Sequence, residues 1–326
     1  MVFHFLIKYP SGVGVADTSE MWYMEAGGGH SWAAVRIPNN CYLVAANSYR
    51  IGHINLQDTT NFICSPNLIA LCQEYDLWDE SHLGFNFRKF FGNGVKEKTG
   101  NNYYNTRRLW RAMDLLSPTL QLSSKQEHFP LFHQPKEKVE LQECFTILRD
   151  YYSGTSFDIF RKKNRNKPER SIAVWQCVHT DVITLSPGQP SEYGCVLWAG
   201  LSFPFTAIYT PFYLGSTTIP LGYNFAPSAF DKQSAFWIFK KLGDLCKSKY
   251  PTQMKAWKEL RKQLESKEIE IQNIIIREAK NIKKNHPNQL SNYLESRSEE
   301  FTSKAVTLAS EMIDSLELKH ENKASE

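Results

Sequence analysis

Four segments between Gly12 and Asn47 alternate their side chains with the two-residue period of a β-strand, and this pattern constrains the fold more than any other feature of the chain. They run Gly12-Val-Gly-Val-Ala, Glu20-Met-Trp-Tyr-Met-Glu-Ala, Ser31-Trp-Ala-Ala-Val-Arg-Ile and Tyr42-Leu-Val-Ala-Ala-Asn47. Between them lie Asp17-Thr18-Ser19, Gly27-Gly28-Gly29 and Pro38-Asn39-Asn40, short turns that bring each strand back beside the one before it. An antiparallel meander is the expected start of the fold.

Farther along, the period turns helical over Asn61 to Tyr75 and Phe87 to Phe91, before a polar, Gly- and Asn-rich loop from Gly92 to Asn105. Val139 to Tyr152 sets Leu141, Cys144, Leu148 and Tyr151 on one helical face, with Gly154 in reach of a C-terminal cap. The basic run Arg161 to Arg170 reads as a solvated loop, with an anion site as the alternative. A second set of strands is expected at Ser171 to Leu185, Gly194 to Ala199 and Phe205 to Tyr209, then an amphipathic helix from Ser234 to Tyr250 that stops before Pro251. From Pro251 onward 13 basic residues face 13 acidic ones, and His286-Pro287 divides the stretch into two long helices. No a/d register persists, so these read as a hairpin packed on the domain and not as a coiled coil. The expected organisation is an α+β domain over residues 1–250 and a helical hairpin over 251–326.

Composition narrows the function. With 326 residues, 42% of them hydrophobic and 22% charged, the chain has the make-up of a globular protein. A net charge of +4 gives no reason to expect a nucleic-acid partner. No apolar run approaches the roughly 18–20 residues of a membrane span, so no membrane partner is expected either. The start, Met1-Val-Phe-His-Phe-Leu-Ile, lacks a basic leader and a small-residue cleavage site and reads as an element entered midway. Seven cysteines at irregular spacing, with no CxxC, fit reduced core thiols in a cytoplasmic protein better than a disulfide framework or a zinc site.

Conventional chemical signatures are missing: there is no GxGxxG, P-loop, HExxH, GxSxG or spaced Cys/His set. No cofactor or metal is expected. Gly27-Gly28-Gly29-His30 lies between two strands, where glycines free the backbone and leave amides bare for a ligand carboxylate; an ordinary hairpin loop is the simpler reading. Glu25 and His30 flank it and could pair with the two ends of a small zwitterion, or merely sit solvated at strand ends. Asn47 closes an apolar strand, where its amide could donate to an oxyanion or turn the chain.

The joined string Met21-Trp-Tyr-Met-Glu-Ala-Gly-Gly-Gly-His-Ser-Trp-Ala-Ala-Val-Arg-Ile-Pro-Asn-Asn-Cys-Tyr-Leu-Val-Ala-Ala-Asn47 resembles the central segment of the bacterial dipeptidase family C69. Further blocks follow in the family's order: Gly84-Phe-Asn-Phe-Arg88, Tyr104-Asn-Thr-Arg-Arg-Leu-Trp110, Ile147-Leu-Arg-Asp-Tyr-Tyr152 with Gly154, Thr155 and Asp158, Tyr209-Thr-Pro-Phe-Tyr213, and Ser234-Ala-Phe-Trp237. The resemblance implies an N-terminal-nucleophile hydrolase, an αββα sandwich of two antiparallel sheets between helices. It also implies hydrolysis of dipeptides through an acyl-enzyme formed on an N-terminal cysteine whose own α-amino group is the base. On this reading Asn47 supports the oxyanion, while Glu25, Gly28, Gly29 and His30 bind substrate.

The match departs from the family pattern at its start. The family's nucleophile lies upstream of the segment matching Lys8 to Gly14, so the sandwich is expected to be incomplete at the N-terminus, and the first strands and the cysteine to come from a separate N-terminal fragment or a longer reading frame. Gln176 and Asp181 stand where relatives often carry arginine and histidine. Gly194-Cys195 resembles an autoprocessing junction, but Cys195 falls in an apolar strand, where an inert thiol is the rule. Two functions follow: a truncated dipeptidase, or an inactive remnant that binds a partner or its own copies as a homo-oligomer.

Overall fold

The amino-terminal meander is present in the computed structural model, which describes residues 2–4, 12–28, 30–76, 84–92, 103–164, 166, 169–247 and 254–324. Most of the loop expected at 92–105, the chain start apart from β1 (Val2–His4), and Arg165, Lys167 and Pro168 of the basic run lie outside the described residues. The chain divides into two compact units, residues 2–139 and 140–326. The helical pair beyond residue 250 thus shares a unit with the residues from 140 onward.

In the first unit β2 (Gly12–Ala16), β3 (Met21–Ala26) and β4 (Trp32–Ile37) pair antiparallel in sequence order, and β6 (Phe62–Cys64) joins β4. The register explains the alternation. Gly14, Tyr23, Val35 and Phe62 stand in one row across the sheet, and Tyr23, Val35, Ala33 and Ile37 point into a core with Ile51, Ile54, Leu68, Phe85 and Phe87. A small two-stranded ladder of β5 (His53–Asn55) and β7 (Gly84–Asn86) carries Ile54 and Phe85 into the same core. Among the described residues the unit also has helices α1 (Pro66–Glu74), which starts on a proline, α2 (Phe87–Phe91) and α3 (Thr106–Leu116).

The fourth expected strand does not form. Tyr42 makes only an isolated bridge to His133, and Asn47 adopts φ 50°, which no strand tolerates. Carbonyls of this segment are met by side chains and not by a neighbouring strand: Arg50 Nε donates to Val44 O at 2.8 Å and Asn105 Nδ2 to Asn47 O at 2.7 Å. Apolar alternation here reflects burial of Val44 and Ala46, without a sheet.

In the second unit β8 (His179–Leu185), β9 (Cys195–Leu201) and β10 (Thr210–Tyr213) form an antiparallel sheet in sequence order. Among the described residues its helices are α4 (Leu141–Leu148), the short α5 (Ser191–Gly194), α6 (Ala235–Cys246), α7 (Lys255–Asn285) and α8 (Leu290–Ala324). The last two fold back on one another at Pro287, and α8 packs on α6 and β10. Trp257, Phe301, Ala305 and Ala309 of the pair are buried with Phe203, Phe205, Phe239 and Leu242. Residues 205–209, expected as a strand, are instead a buried loop. Its main chain is paired by distant side chains: Trp257 Nε1 donates to Thr206 O at 3.2 Å, Arg149 to Ala207 O at 2.8 Å, and Tyr209 N–H to Glu265 at 2.8 Å. Glu265 is in turn salt-bridged to Arg149, and the guanidinium lies over the Tyr209 ring. The pair is buried, but two hydrogen bonds between its members, one to the Ala207 carbonyl, one from the Tyr209 amide and an aromatic face replace the lost water.

Candidate functional site

The β3–β4 hairpin closes through Gly27 N–H to Ser31 O at 2.7 Å and Ser31 N–H to Gly28 O at 3.2 Å. Gly28 and His30 are exposed at its tip, and His30 takes φ 60°. Gly29 lies outside the described residues. This is the ordinary hairpin that the three glycines also allowed, with its tip open to solvent.

Glu25 is placed differently from its expected role. It is 1% exposed, and its carboxylate accepts from Tyr23 Oη at 2.8 Å, Arg50 N–H at 2.7 Å and Ile51 N–H at 2.9 Å. Burial pushes its carboxyl up from the usual range, opposed by these donors and by Arg50. With its oxygens turned inward onto three internal partners, Glu25 anchors the chain and does not face a zwitterion beside His30. Its effect is to hold the end of β3 against residues 50–51. One step along, Tyr49 Oη donates to Ala26 O at 3.1 Å. The segment that carries Asn47 therefore runs beside the strand that leads into the hairpin.

Asn47 is half-buried, and its left-handed backbone makes a turn and not a strand end. Asparagine accepts φ near +50° more readily than other side chains with a Cβ. Three side chains the sequence reading had not placed at the site hold this turn. Arg50, 3% exposed, donates to the carbonyls of Val44, Phe129 and Pro130, and burial together with Arg88 lowers its pKa to about 10. Asn105 and Arg108, at the start of α3, are 6% and 2% exposed. Asn105 Nδ2 donates to Asn47 O at 2.7 Å, and Arg108 Nη2 donates to Asn105 Oδ1 at 2.7 Å and to Ala46 O at 3.5 Å. Both belong to the block Tyr104 to Trp110, so the resemblance had marked them while local patterning gave them no role.

The geometry thus joins an exposed hairpin tip, with an imidazole, to a fixed asparagine turn. Among the described residues, no group of three or more His, Cys, Asp or Glu side chains could hold a metal ion, and no helix is long and apolar enough to cross a membrane. None of the seven cysteines forms a disulfide. Burial raises the pKa of Cys41, Cys64 and Cys195, of Cys72 to about 11, of Cys246 to about 12, and of Cys144 still further. A nucleophilic cysteine needs the opposite shift.

Comparison with known proteins agrees with the blocks seen in the sequence. The model of peptidase family C69 matches residues 6–263. A probable dipeptidase of Salmonella dublin is 31% identical over 229 residues, covering 65% of this chain and 52% of the relative. Dipeptidase A of Lactobacillus helveticus is 25% identical over 279 residues, 83% of this chain and 57% of the relative, and a dipeptidase of Bifidobacterium longum is 25% identical over 254 residues, 72% and 47%. The chain spans about half the length of the curated relatives it matches.

Proposed function

The chain belongs to peptidase family C69, and on that premise we propose that residues 1–326 supply the oxyanion and substrate-binding part of a dipeptidase. The observation that carries this reading is the family match over residues 6–263. The nucleophile is a cysteine at the mature N-terminus of a segment outside these residues. Six thiols of the chain with raised pKa, and a chain about half the relatives' length, support placing it there. That segment also supplies the strands that complete a four-layer αββα sandwich.

In the reaction, the thiol gives its proton to its own α-amino group and the thiolate attacks the peptide carbonyl. Negative charge develops on the carbonyl oxygen, and the Asn47 amide donates to it. A neutral donor of fixed direction suits this task, whereas a carboxylate would repel the charge. Collapse releases the amine of the second amino acid, protonated by the ammonium, and water then hydrolyses the thioester. His30 and the Gly28 main chain, exposed at the hairpin tip, take the substrate carboxylate. No metal or other cofactor takes part in these steps.

The test joins the chain to the upstream, cysteine-initiated segment of one of its relatives and measures dipeptide hydrolysis. Turnover lost on replacing the upstream cysteine, and reduced about a hundredfold or more by Asn47→Ala with little change in melting, is the expected result. A folded joined protein that hydrolyses no dipeptide overturns the reading in favour of a partner-binding remnant.

A further inference from the structure

Asn105 occupies the position just before α3, where an asparagine side chain ordinarily accepts from an amide of the first turn and adds about 1 kcal/mol to the helix. It makes no such bond. Its side chain instead turns to the Asn47 main chain, 58 residues away, with the amide orientation fixed by chemistry. Arg108 has only donors, so the Asn105 oxygen faces it; the Asn47 carbonyl has only lone pairs, so the Asn105 NH2 faces that. Both contacts are 2.7 Å and both side chains are buried, so water competes poorly for them.

We propose that Asn105 is a positioning residue for Asn47: by gripping the Asn47 carbonyl it fixes the plane of the 47–48 peptide and thereby the direction of the Asn47 side-chain amide. The catalytic consequence rests on the reading of Asn47 as the oxyanion donor. Holding the oxygen of this planar peptide restrains ψ of Asn47, and the Ala46 carbonyl held by Arg108 restrains the peptide on the other side of the φ 50° turn. Arg108 holds the clamp in register through Asn105 Oδ1 and the neighbouring Ala46 carbonyl. A helix cap is given up for a fixed turn, as expected where direction matters more than helix stability.

Asn105→Asp separates this role from simple packing. The aspartate keeps the size of the side chain and still accepts from Arg108, but it has no NH2 for the Asn47 carbonyl and sets lone pairs against lone pairs. In the 326-residue chain labelled with 15N-asparagine, the Asn47 side-chain amide is identified by its loss in Asn47→Ala. Asn105→Asp and Asn105→Ala should both shift and broaden it while the protein still melts cooperatively; an unchanged Asn47 signal in both overturns the proposal. In the joined, active form, Asn105→Asp should lower kcat by about tenfold to a hundredfold with KM changed far less. Normal kcat in Asn105→Asp beside a deficient Asn47→Ala overturns the positioning role alone. Full turnover in Asn47→Ala overturns the oxyanion reading, and the amide signal then decides by itself whether Asn105 fixes the turn.

Discussion

A Cβ on Gly27 would lie 2.7 Å from the Phe91 ring, so the end of β3 reaches the aromatic group of Tyr49, Phe87 and Phe91 only because residue 27 has no side chain. Gly27→Ala is expected to destabilise the protein by about 1–3 kcal/mol in urea unfolding, through overpacking. Adding Phe91→Leu should return part of that loss; a double variant as unstable as the sum of the two single ones would place the strain elsewhere. Two residues earlier, Glu25 holds the same strand end against residues 50–51. Glu25→Ala strands the buried amides of Arg50 and Ile51 without an acceptor, and a loss of roughly 2–4 kcal/mol is expected. Glu25→Gln retains one accepting oxygen and should lose distinctly less. Equal melts for the alanine and glutamine variants would show that the amides find other partners. This anchoring use of Glu25 was hidden in the sequence, because a carboxylate at an expected strand end reads as solvated until the residues that face it are known.

The antiparallel pair α7 and α8 encloses Glu268, which is buried, accepts from Gln272 at 3.3 Å, and has its pKa raised to about 7 by burial and Glu300 against the pull of Arg297 and Lys304. The folded value lies above the unfolded one, so the proton is held more tightly in the native state. The stabilisation this gives is complete below about pH 4.5 and is lost as pH rises through about 7. Glu268→Gln should therefore gain on the parent between pH 5 and pH 8, by on the order of 1–2 kcal/mol once solvent screening at the helix edge is allowed for. Melting curves of the two proteins that stay parallel across that range would remove Glu268 as the cause. These helices were legible in the sequence, since their apolar faces repeat locally and a His-Pro step ends the first. The segments 42–47 and 205–209 were not legible as loops. Each is apolar like a strand, but its carbonyls are met by Arg50, Asn105, Arg149 or Trp257, and most of these donors lie dozens of residues away. Local period reports burial; it cannot report which group pairs the backbone. The candidate site shared this limit: Asn47 was visible, and the clamp of Asn105 and Arg108 was visible only as part of a family block.

Across the whole molecule the thiols bear most directly on the nucleophile proposed above. A cysteine primed for attack sits where positive charge or a helix N-terminus favours the thiolate, yet Cys41, Cys64, Cys72, Cys144, Cys195 and Cys246 all shift the other way because burial disfavours the charge. Cys195 is the instructive case, since Gly194-Cys195 resembles a self-cleavage junction. Its backbone instead opens β9, and Leu185 on β8 and the Leu214 amide pair with it, an arrangement that holds the residue in a continuous sheet. The 326-residue chain alone is accordingly expected to show no dipeptide hydrolysis that thiol alkylation abolishes, and its mass should remain that of the uncut polypeptide. In the joined form, Cys195→Ala should leave turnover unchanged, while alanine at the upstream cysteine should remove it. Alkylation-sensitive turnover by the chain alone, or a fragment beginning at Cys195, would move the nucleophile back into these residues and with it the origin of the acyl-enzyme.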